Sequence, residues 1–351
     1  MRLLNDHDSC TWRGEYEIDG RIQEGKHCIV KLVVQLPALD EEKTIASVIH
    51  SIPRDIDGVD EVVVVVVNDG STDRTAELAR EAGAIVLTHK TSRGVGAAFR
   101  TGLKEATELG ADIIVTIDAD GQFNPADIGS LVAPILKGEA DFVTASRFVD
   151  PALEPDMPKA KRWGNDFIAR WISSMIKERF YDVSCGFRAY SKDAYFRLTL
   201  LGDFTYTHEV FLTLAYSGVR IKEVPVHVRG VREHGESRVA NNLFRYGWRT
   251  ASIILRTYRD YRPLQFFSKI ALVLAAAGVA LLGFLGWFWL STGGFSPHKW
   301  AGFTGSFLLG MGIFLVIVGV VAEMLDRTRV VVDEALFRIR RLECALKKPP
   351  S

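Results

Sequence analysis

Residues 111–122 read Ala-Asp-Ile-Ile-Val-Thr-Ile-Asp-Ala-Asp-Gly-Gln. The run from Ile113 to Ile117 has the length and apolar content of a buried strand, and it ends in two acidic residues one position apart. An open α/β sheet gathers its ligands just beyond the carboxyl ends of its strands. There Asp118 and Asp120 offer hard oxygens suited to Mg²⁺ or Mn²⁺ against the phosphates of a nucleotide, with Gln122 as a neutral oxygen ligand. A polar turn after a strand explains a lone Asp-x-Asp equally well.

A second strand end tips the balance. Residues 62–67 are six consecutive valines, the composition of a strand buried on both faces, and they run into Asn68-Asp69-Gly70-Ser71-Thr72-Asp73. Gly70 permits a tight turn, Ser71 or Thr72 can cap a following helix over 72–82, and Asp69 can accept hydrogen bonds from a base or ribose. Two acidic strand ends in one sheet make a site.

Further strands are expected at Ile29–Leu36, Ala84–Thr88 and Asp141–Ala145, alternating with helices, which is the pattern of a mostly parallel sheet covered on both faces. After the first strand, Pro37 leads into Asp40 and Glu41, acidic residues that either suit a helix N-terminus or contact the nucleotide. The loop 89–96 lacks the Gly-x-Gly-x-x-Gly spacing of a dinucleotide site, yet its Lys90 and Arg93 can neutralise phosphate. Arg147, at the end of the 141–145 strand, is a candidate phosphate contact. A helix over 161–177 carries Trp163, Phe167, Trp171 and Ile172 as a stripe suited either to a core or to a lipid surface. Asp182 and Arg188 flank a glycine turn, while His208 and Glu209 open a helix, His208 reading chiefly as structural. Arg229, Arg232 and Arg238 then gather with two glycines in a loop rich in anion donors.

The 351 residues, 48% of them hydrophobic, can build a large core or two domains, and 43 basic against 43 acidic residues leave no overall field for nucleic acid. Cys10, Cys28, Cys185 and Cys344 have no ligand spacing, which fits a reducing compartment. Residues 1–28 lack the apolar stretch of a secretory signal and are expected to be a flexible or loosely packed extension. Residues 239–265 read as a basic amphipathic helix of the membrane interface. The uncharged stretches 270–290 and 301–322 read as two transmembrane helices within a hairpin at 266–325. Arginine on both outer flanks, against one lysine in the 291–300 loop, places the 29–238 domain and the charged tail 326–351 on the cytoplasmic side of the plasma membrane.

Together the motifs Val34-Gln35-Leu36-Pro37-Ala38-Leu39-Asp40-Glu41, Val67-Asn68-Asp69-Gly70-Ser71-Thr72-Asp73, Asp118-Ala119-Asp120-Gly121-Gln122, Ser146-Arg147-Phe148 and Ser184-Cys185-Gly186-Phe187-Arg188 resemble the family 2 glycosyltransferases of GT-A fold, especially the membrane-bound polyprenyl-phosphate and dolichol-phosphate hexosyltransferases. The resemblance implies a Rossmann-like α/β domain in which Pro37, Asp40 and Glu41 line the nucleotide pocket and Asp69 contacts the base. It implies that Asp118, Asp120 and Gln122 hold the metal and donor diphosphate. It places Arg147, Asp182 and Arg188 near the reaction centre or acceptor, and Arg232 and Arg238 where a lipid phosphate is received. Three positions depart from the family pattern: Asp40 for its usual Asn, Asn68 for its usual Asp, and Cys185 for a frequent Ser.

The implied reaction is inverting transfer of a hexose, mannose or glucose, from a GDP- or UDP-linked donor to a polyprenyl or dolichyl monophosphate. An acceptor phosphate is already largely dianionic at neutral pH, so Asp182 is expected to orient rather than to act as an obligatory base. The alternatives are transfer to a lipid hydroxyl such as that of diacylglycerol, and a non-catalytic scaffold that binds nucleotide sugar. Partners are then the donor, the lipid acceptor and the bilayer, with a homo-oligomer left open.

Overall fold

The computed structural model describes residues 16–18, 21–23, 29–198, 207–229 and 243–347. The chain forms two compact units, one of residues 1–249 with 340–351 and the other of residues 250–339.

In the first unit a short antiparallel pair, β1 (Tyr16–Ile18) and β2 (Arg21–Gln23), lies within the stretch expected to be a loose extension. The main elements follow as β3 (Lys31–Ala38), α1 (Ile45–Ser51), β4 (Glu61–Asn68), α2 (Thr75–Glu81), β5 (Ile85–Thr88), α3 (Val95–Glu108), β6 (Ile113–Thr116), α4 (Ile128–Leu136), β7 (Phe142–Ser146), α5 (Lys159–Ile176), β8 (Arg188–Ser191), α6 (Lys192–Phe196), α7 (Thr207–Tyr216) and β9 (Ile221–Pro225). They build a seven-stranded sheet ordered β5-β4-β3-β6-β8-β7-β9.

The valine strand does what its composition requires. Val64 and Val66 join the large core that includes Ile45, Ile49, Ile128 and Leu131 from α1 and α4. Val65 and Val67 are buried on the opposite face, where α3 packs. Gly102 of α3 allows that approach, since a Cβ there would lie 2.1 Å from Gln35 Oε1 and 3.2 Å from a Val67 methyl.

Two features depart from the sequence reading. Pro37 lies inside β3, opposite Val67, rather than in the turn after it. The 188–191 segment is a strand, β8, wedged antiparallel between β6 and β7 while the other pairings of this sheet are parallel. The residues that become β8 belong to a stretch whose polar and glycine motifs hid its extended character.

The aromatic stripe of α5 is only partly core. Ala169 and Ile172 are buried, whereas Trp163 and Phe167 are 69% and 53% exposed, with their rings stacked 5.6 Å apart.

The second unit contains most of α8 (Leu243–Tyr261), α9 (Pro263–Thr292) and most of α10 (Lys299–Lys347). Two helices, Pro263–Thr292 and Lys299–Glu343, are long and apolar enough to cross a membrane. α10 continues unbroken from the apolar segment into the charged tail.

The α9 and α10 backbones meet through glycines seven residues apart. A Cβ at Gly278 would stand 2.7 Å from Gly305 O, one at Gly312 would stand 3.1 Å from Ala271 O, and one at Gly319 would stand 3.3 Å from the Leu264 side chain. Each step of seven on α10, from 305 through 312 to 319, matches a step of seven back along α9, from 278 through 271 to 264. Small residues allow this because packing in lipid rests on close van der Waals contact rather than on a hydrophobic drive.

Candidate active site

The site forms at the carboxyl ends of β3, β4, β6 and β7. The loops after β3 and β4 are laced together. Asp40 N–H donates to Ser71 Oγ at 2.9 Å, and Thr72 N–H donates back to Asp40 Oδ1 at 2.8 Å. Asp40 takes a left-handed backbone, φ 49°, which aspartate tolerates better than most residues. Glu41 N–H donates to Thr75 Oγ1 at 2.8 Å. Asn68, the departure from the family pattern, accepts Ser71 N–H at 3.1 Å, a turn bond that an amide oxygen makes as well as a carboxylate. Gly70, at φ 79°, passes so close to the next loop that a Cβ would lie 2.7 Å from Ser92 N.

Asp69 is not placed as expected. It is buried, and its carboxylate accepts from His89 Nδ1 (2.6 Å), Ser92 Oγ (2.9 Å), Arg93 N–H (2.9 Å) and Gly94 N–H (2.8 Å). Burial alone would raise this carboxyl, but the donors outweigh it and hold it below the ordinary aspartate value. The residue expected at the base is therefore the organiser of the 89–94 loop, because its oxygens are already engaged within the fold. Lys90 and Arg93 project from that loop as exposed cations, apart from the cavity described next.

Beyond β6, Asp118 and Gln122 line a cavity of about 110 Å³ together with Arg147, Lys161, Ser184, Cys185, Gly186 and Arg229. Asp120 is buried, with Oδ1 accepting Gln122 N–H at 3.0 Å. Asp118 rests on the backbone of Gly186, where a Cβ would meet Oδ2 at 3.1 Å. Gln122 Nε2 donates to Arg229 O at 3.1 Å, and Arg229 N–H donates to Gln122 O at 3.0 Å, so the start of the basic 229–238 loop is fastened to the acidic motif. Arg232 and Arg238 lie outside the described residues.

Arg147 and Asp182 form a forked pair, with Nε to Oδ2 at 2.6 Å and Nη2 to Oδ1 at 2.9 Å, and Nη2 also donates to Ser184 Oγ. Burial would raise the Asp182 carboxyl, but the Arg147 charge and hydrogen bonds reverse this and hold it below the usual range. Burial pushes the neighbouring Cys185 thiol up to about 12, so it is a neutral wall of the cavity rather than a nucleophile.

Arg188 corrects an expectation. It is fully buried in β8, donating from Nη1 to Thr207 O and from Nη2 to Val183 O, with its guanidinium over the Phe142 ring. A lipid phosphate cannot reach it there, and it ties strands to the start of α7. His208 is buried alongside, and burial first, then the Arg188 charge, lowers it to about 3; it is the neutral structural residue expected. Sequence reasoning missed Lys161 and Glu223. In sequence Lys161 is one of the basic residues at a helix start, and Glu223 sits in a strand whose pattern gives no sign that it turns inward to accept Tyr181 and Asp182 N–H.

The donor set fits a divalent cation. Asp118, Asp120 and Gln122 offer only two carboxylates and an amide oxygen, and among the described residues no group of three or more His, Cys, Asp or Glu could hold a metal. Mg²⁺ and Mn²⁺ suit such an incomplete set, since substrate phosphates and water complete their coordination.

Residues 33–198 match the model of "Glycosyl transferase family 2". An uncharacterized protein of Methanocaldococcus jannaschii is 35% identical over 202 residues, 56% of this chain and 80% of that protein. The chain belongs to glycosyl transferase family 2. A dolichyl-phosphate hexose transferase of Haloferax volcanii is 33% identical over 56% of this chain and 82% of its own. A UDP-N-acetylglucosamine–dolichyl-phosphate N-acetylglucosaminyltransferase of Methanococcus voltae is 34% identical over 45% and 68%. Among solved structures, glucosyl-3-phosphoglycerate synthase of Mycobacterium tuberculosis in complex with Mg²⁺ and UDP matches with TM-score 0.51 and 26% identity over 65% of this chain and 79% of that one. The glycosyltransferase fold, a mostly parallel Rossmann-like sheet of GT-A type, is thus the fold of this family 2 enzyme.

Proposed function

We propose that the enzyme transfers a hexose, mannose or glucose, from a GDP- or UDP-linked donor to a polyprenyl or dolichyl monophosphate, with inversion, at the cytoplasmic face of the plasma membrane. The observation that carries this reading is the cavity that Arg147, Lys161 and Arg229 line together with Asp118, in a chain with two helices able to cross a bilayer. Guanidinium and ammonium donors gathered beside a carboxylate suit a site that receives phosphate next to a metal-binding oxygen. The named relatives support the acceptor class.

Asp118, Asp120 and Gln122 would hold Mg²⁺ or Mn²⁺, which when bound neutralises charge developing on the leaving diphosphate. Pro37, Asp40 and Glu41 stay proposed for the nucleotide side, with Lys90 and Arg93 as screening charges. Arg147, Lys161 and Arg229, with Arg232 and Arg238 proposed from sequence, orient the acceptor phosphate. Its oxygen forms the new bond to the anomeric carbon as the bond to the donor diphosphate breaks, and the nucleoside diphosphate departs with the bonding pair. A dianionic acceptor needs no base, and Asp182, held ionised by Arg147, is committed to orientation. A groove of about 630 Å³ along 154–170, lined mostly by charged residues with Trp163, shares Pro155 and Met157 with the cavity.

The test is nucleotide release from a panel of nucleotide sugars in detergent, with and without polyprenyl phosphate, with Asp120→Ala as control. Metal-dependent release that requires the lipid phosphate is expected. Release only with a lipid alcohol would assign the hydroxyl reaction instead, and no release from any donor would return the scaffold reading.

A further inference from the structure

The Arg147–Asp182 pair rests on a side chain that the reaction above does not use. Glu223 lies in edge strand β9, opposite Thr144 of β7. Lys222 beside it makes a surface pair with Glu139. Glu223 points the other way. Its Oε1 accepts Asp182 N–H at 2.7 Å and Tyr181 N–H at 3.1 Å, and its Oε2 accepts Tyr181 N–H at 2.9 Å. Two successive amides converging on one anion form a strong directional clamp.

What the clamp holds is the turn that supplies the partners of Arg147. Asp182 and Ser184 come from this turn, and Ser184 N–H and Oγ both reach Asp182 Oδ1, at 3.2 and 3.1 Å. The β7–β9 ladder is independent of this clamp, because its backbone pairing runs from Phe142 to Ser146 whatever the side chain at 223. Releasing the clamp therefore loosens the turn without dismantling the sheet.

We infer that Glu223 is a positioning residue of the transferase site: by gripping the amides of Tyr181 and Asp182 it fixes the carboxylate of Asp182, and through it the Arg147 guanidinium at the cavity wall. Glu223 is not among the residues that line the cavity. The inference rests on the proposed transfer, in which Arg147 faces the acceptor phosphate. Burial raises the Glu223 carboxyl above its ordinary value, with the two amides offsetting this in part.

The experiment compares full-length wild type, Glu223→Ala and Glu223→Gln in detergent. Amide exchange over 181–184 is expected to accelerate in Glu223→Ala, with nucleotide binding in Mn²⁺ retained as a check on folding. A displaced orienting group costs up to about 100-fold in rate, so kcat should fall roughly 10- to 100-fold while donor KM stays within about twofold. Glu223→Gln keeps one oxygen over the amides and should recover most of the loss. On an Asp182→Ala background, Glu223→Ala should change kcat by less than about twofold, since residues acting as one unit are non-additive.

A full additive loss on that background, a fall confined to donor KM, or unchanged exchange at 181–184 would overturn the inference. Should Glu223→Ala lose nucleotide binding, Glu223→Ser, too short to reach the two amides, carries the same comparisons. Should wild type glycosylate no polyprenyl phosphate, the reaction fails while the exchange comparison still decides whether Glu223 holds the turn.

Discussion

Arg147 and Asp182 meet through two parallel hydrogen bonds, 2.6 and 2.9 Å long, with the aspartate 1% exposed and the arginine reaching the cavity. The buried end of the pair is held inside the fold and the other end meets the ligand space. Breaking a buried pair on one side costs far more than the pair contributes, because the surviving charge is left without a partner.

Asp182→Ala should accordingly lower stability by about 3 kcal/mol, the low end for removing one partner of a buried pair, and reduce transfer by at least 100-fold. Chemical denaturation in detergent and initial rates check the two parts. Arg147→Lys, which keeps charge but loses the fork, should rescue stability more than rate.

The pH dependence of that pair has a definite sign. The folded Asp182 carboxyl lies below its unfolded value, so its contribution is fully present above the unfolded pKa, about 3.9, and is lost as pH falls through the folded value. Unfolding midpoints from pH 8 to pH 3 should show an acid-side loss in wild type that is smaller in Asp182→Asn.

Gly186→Ala should weaken Mn²⁺-dependent nucleotide binding by about tenfold, roughly 1.4 kcal/mol, because its Cβ would press on the Asp118 carboxylate at 3.1 Å. Calorimetric titration of nucleotide with and without Mn²⁺ measures this. An unchanged affinity would mean Asp118 can shift without consequence.

Asp69→Ala leaves four donors of the 89–94 loop without their acceptor. A loss of about 2 kcal/mol or more is expected for such unpaired groups. Limited proteolysis should cut first within this loop, and donor binding should fall with it.

In the second unit, Gly278→Leu should lower the thermal midpoint in detergent by several degrees, while Gly283→Leu should be close to neutral. A side chain at 278 meets the Gly305 carbonyl, whereas nothing stands within 4 Å of one at 283.

The sequence made the sheet and its metal-side motif legible because apolar strands ending in acidic turns carry a local signature. Val62 to Val67 and Ile113 to Ile117 could be little else. β8 was illegible since its partners lie far along the chain: Thr116 pairs with Arg188, and Thr144 pairs with Arg188 from the other side. Arg188 and Asp69 were read as ligand contacts because a charged residue in a motif gives no sign of whether it points outward. Both are consumed internally, and only the tertiary partners show it. Glu223 was missed for the converse reason, as an edge-strand glutamate ordinarily faces solvent.

The out-of-order strand has a geometric consequence. Because β8 lies between β6 and β7, the strand ends bearing Asp118 and Arg147 stand two interstrand spacings apart, about 10 Å, rather than one. β8 thus works as a gauge block, hydrogen-bonded on both sides and difficult to compress. The spacing between the acidic motif and the Arg147 loop is fixed by backbone hydrogen bonding rather than by side-chain packing.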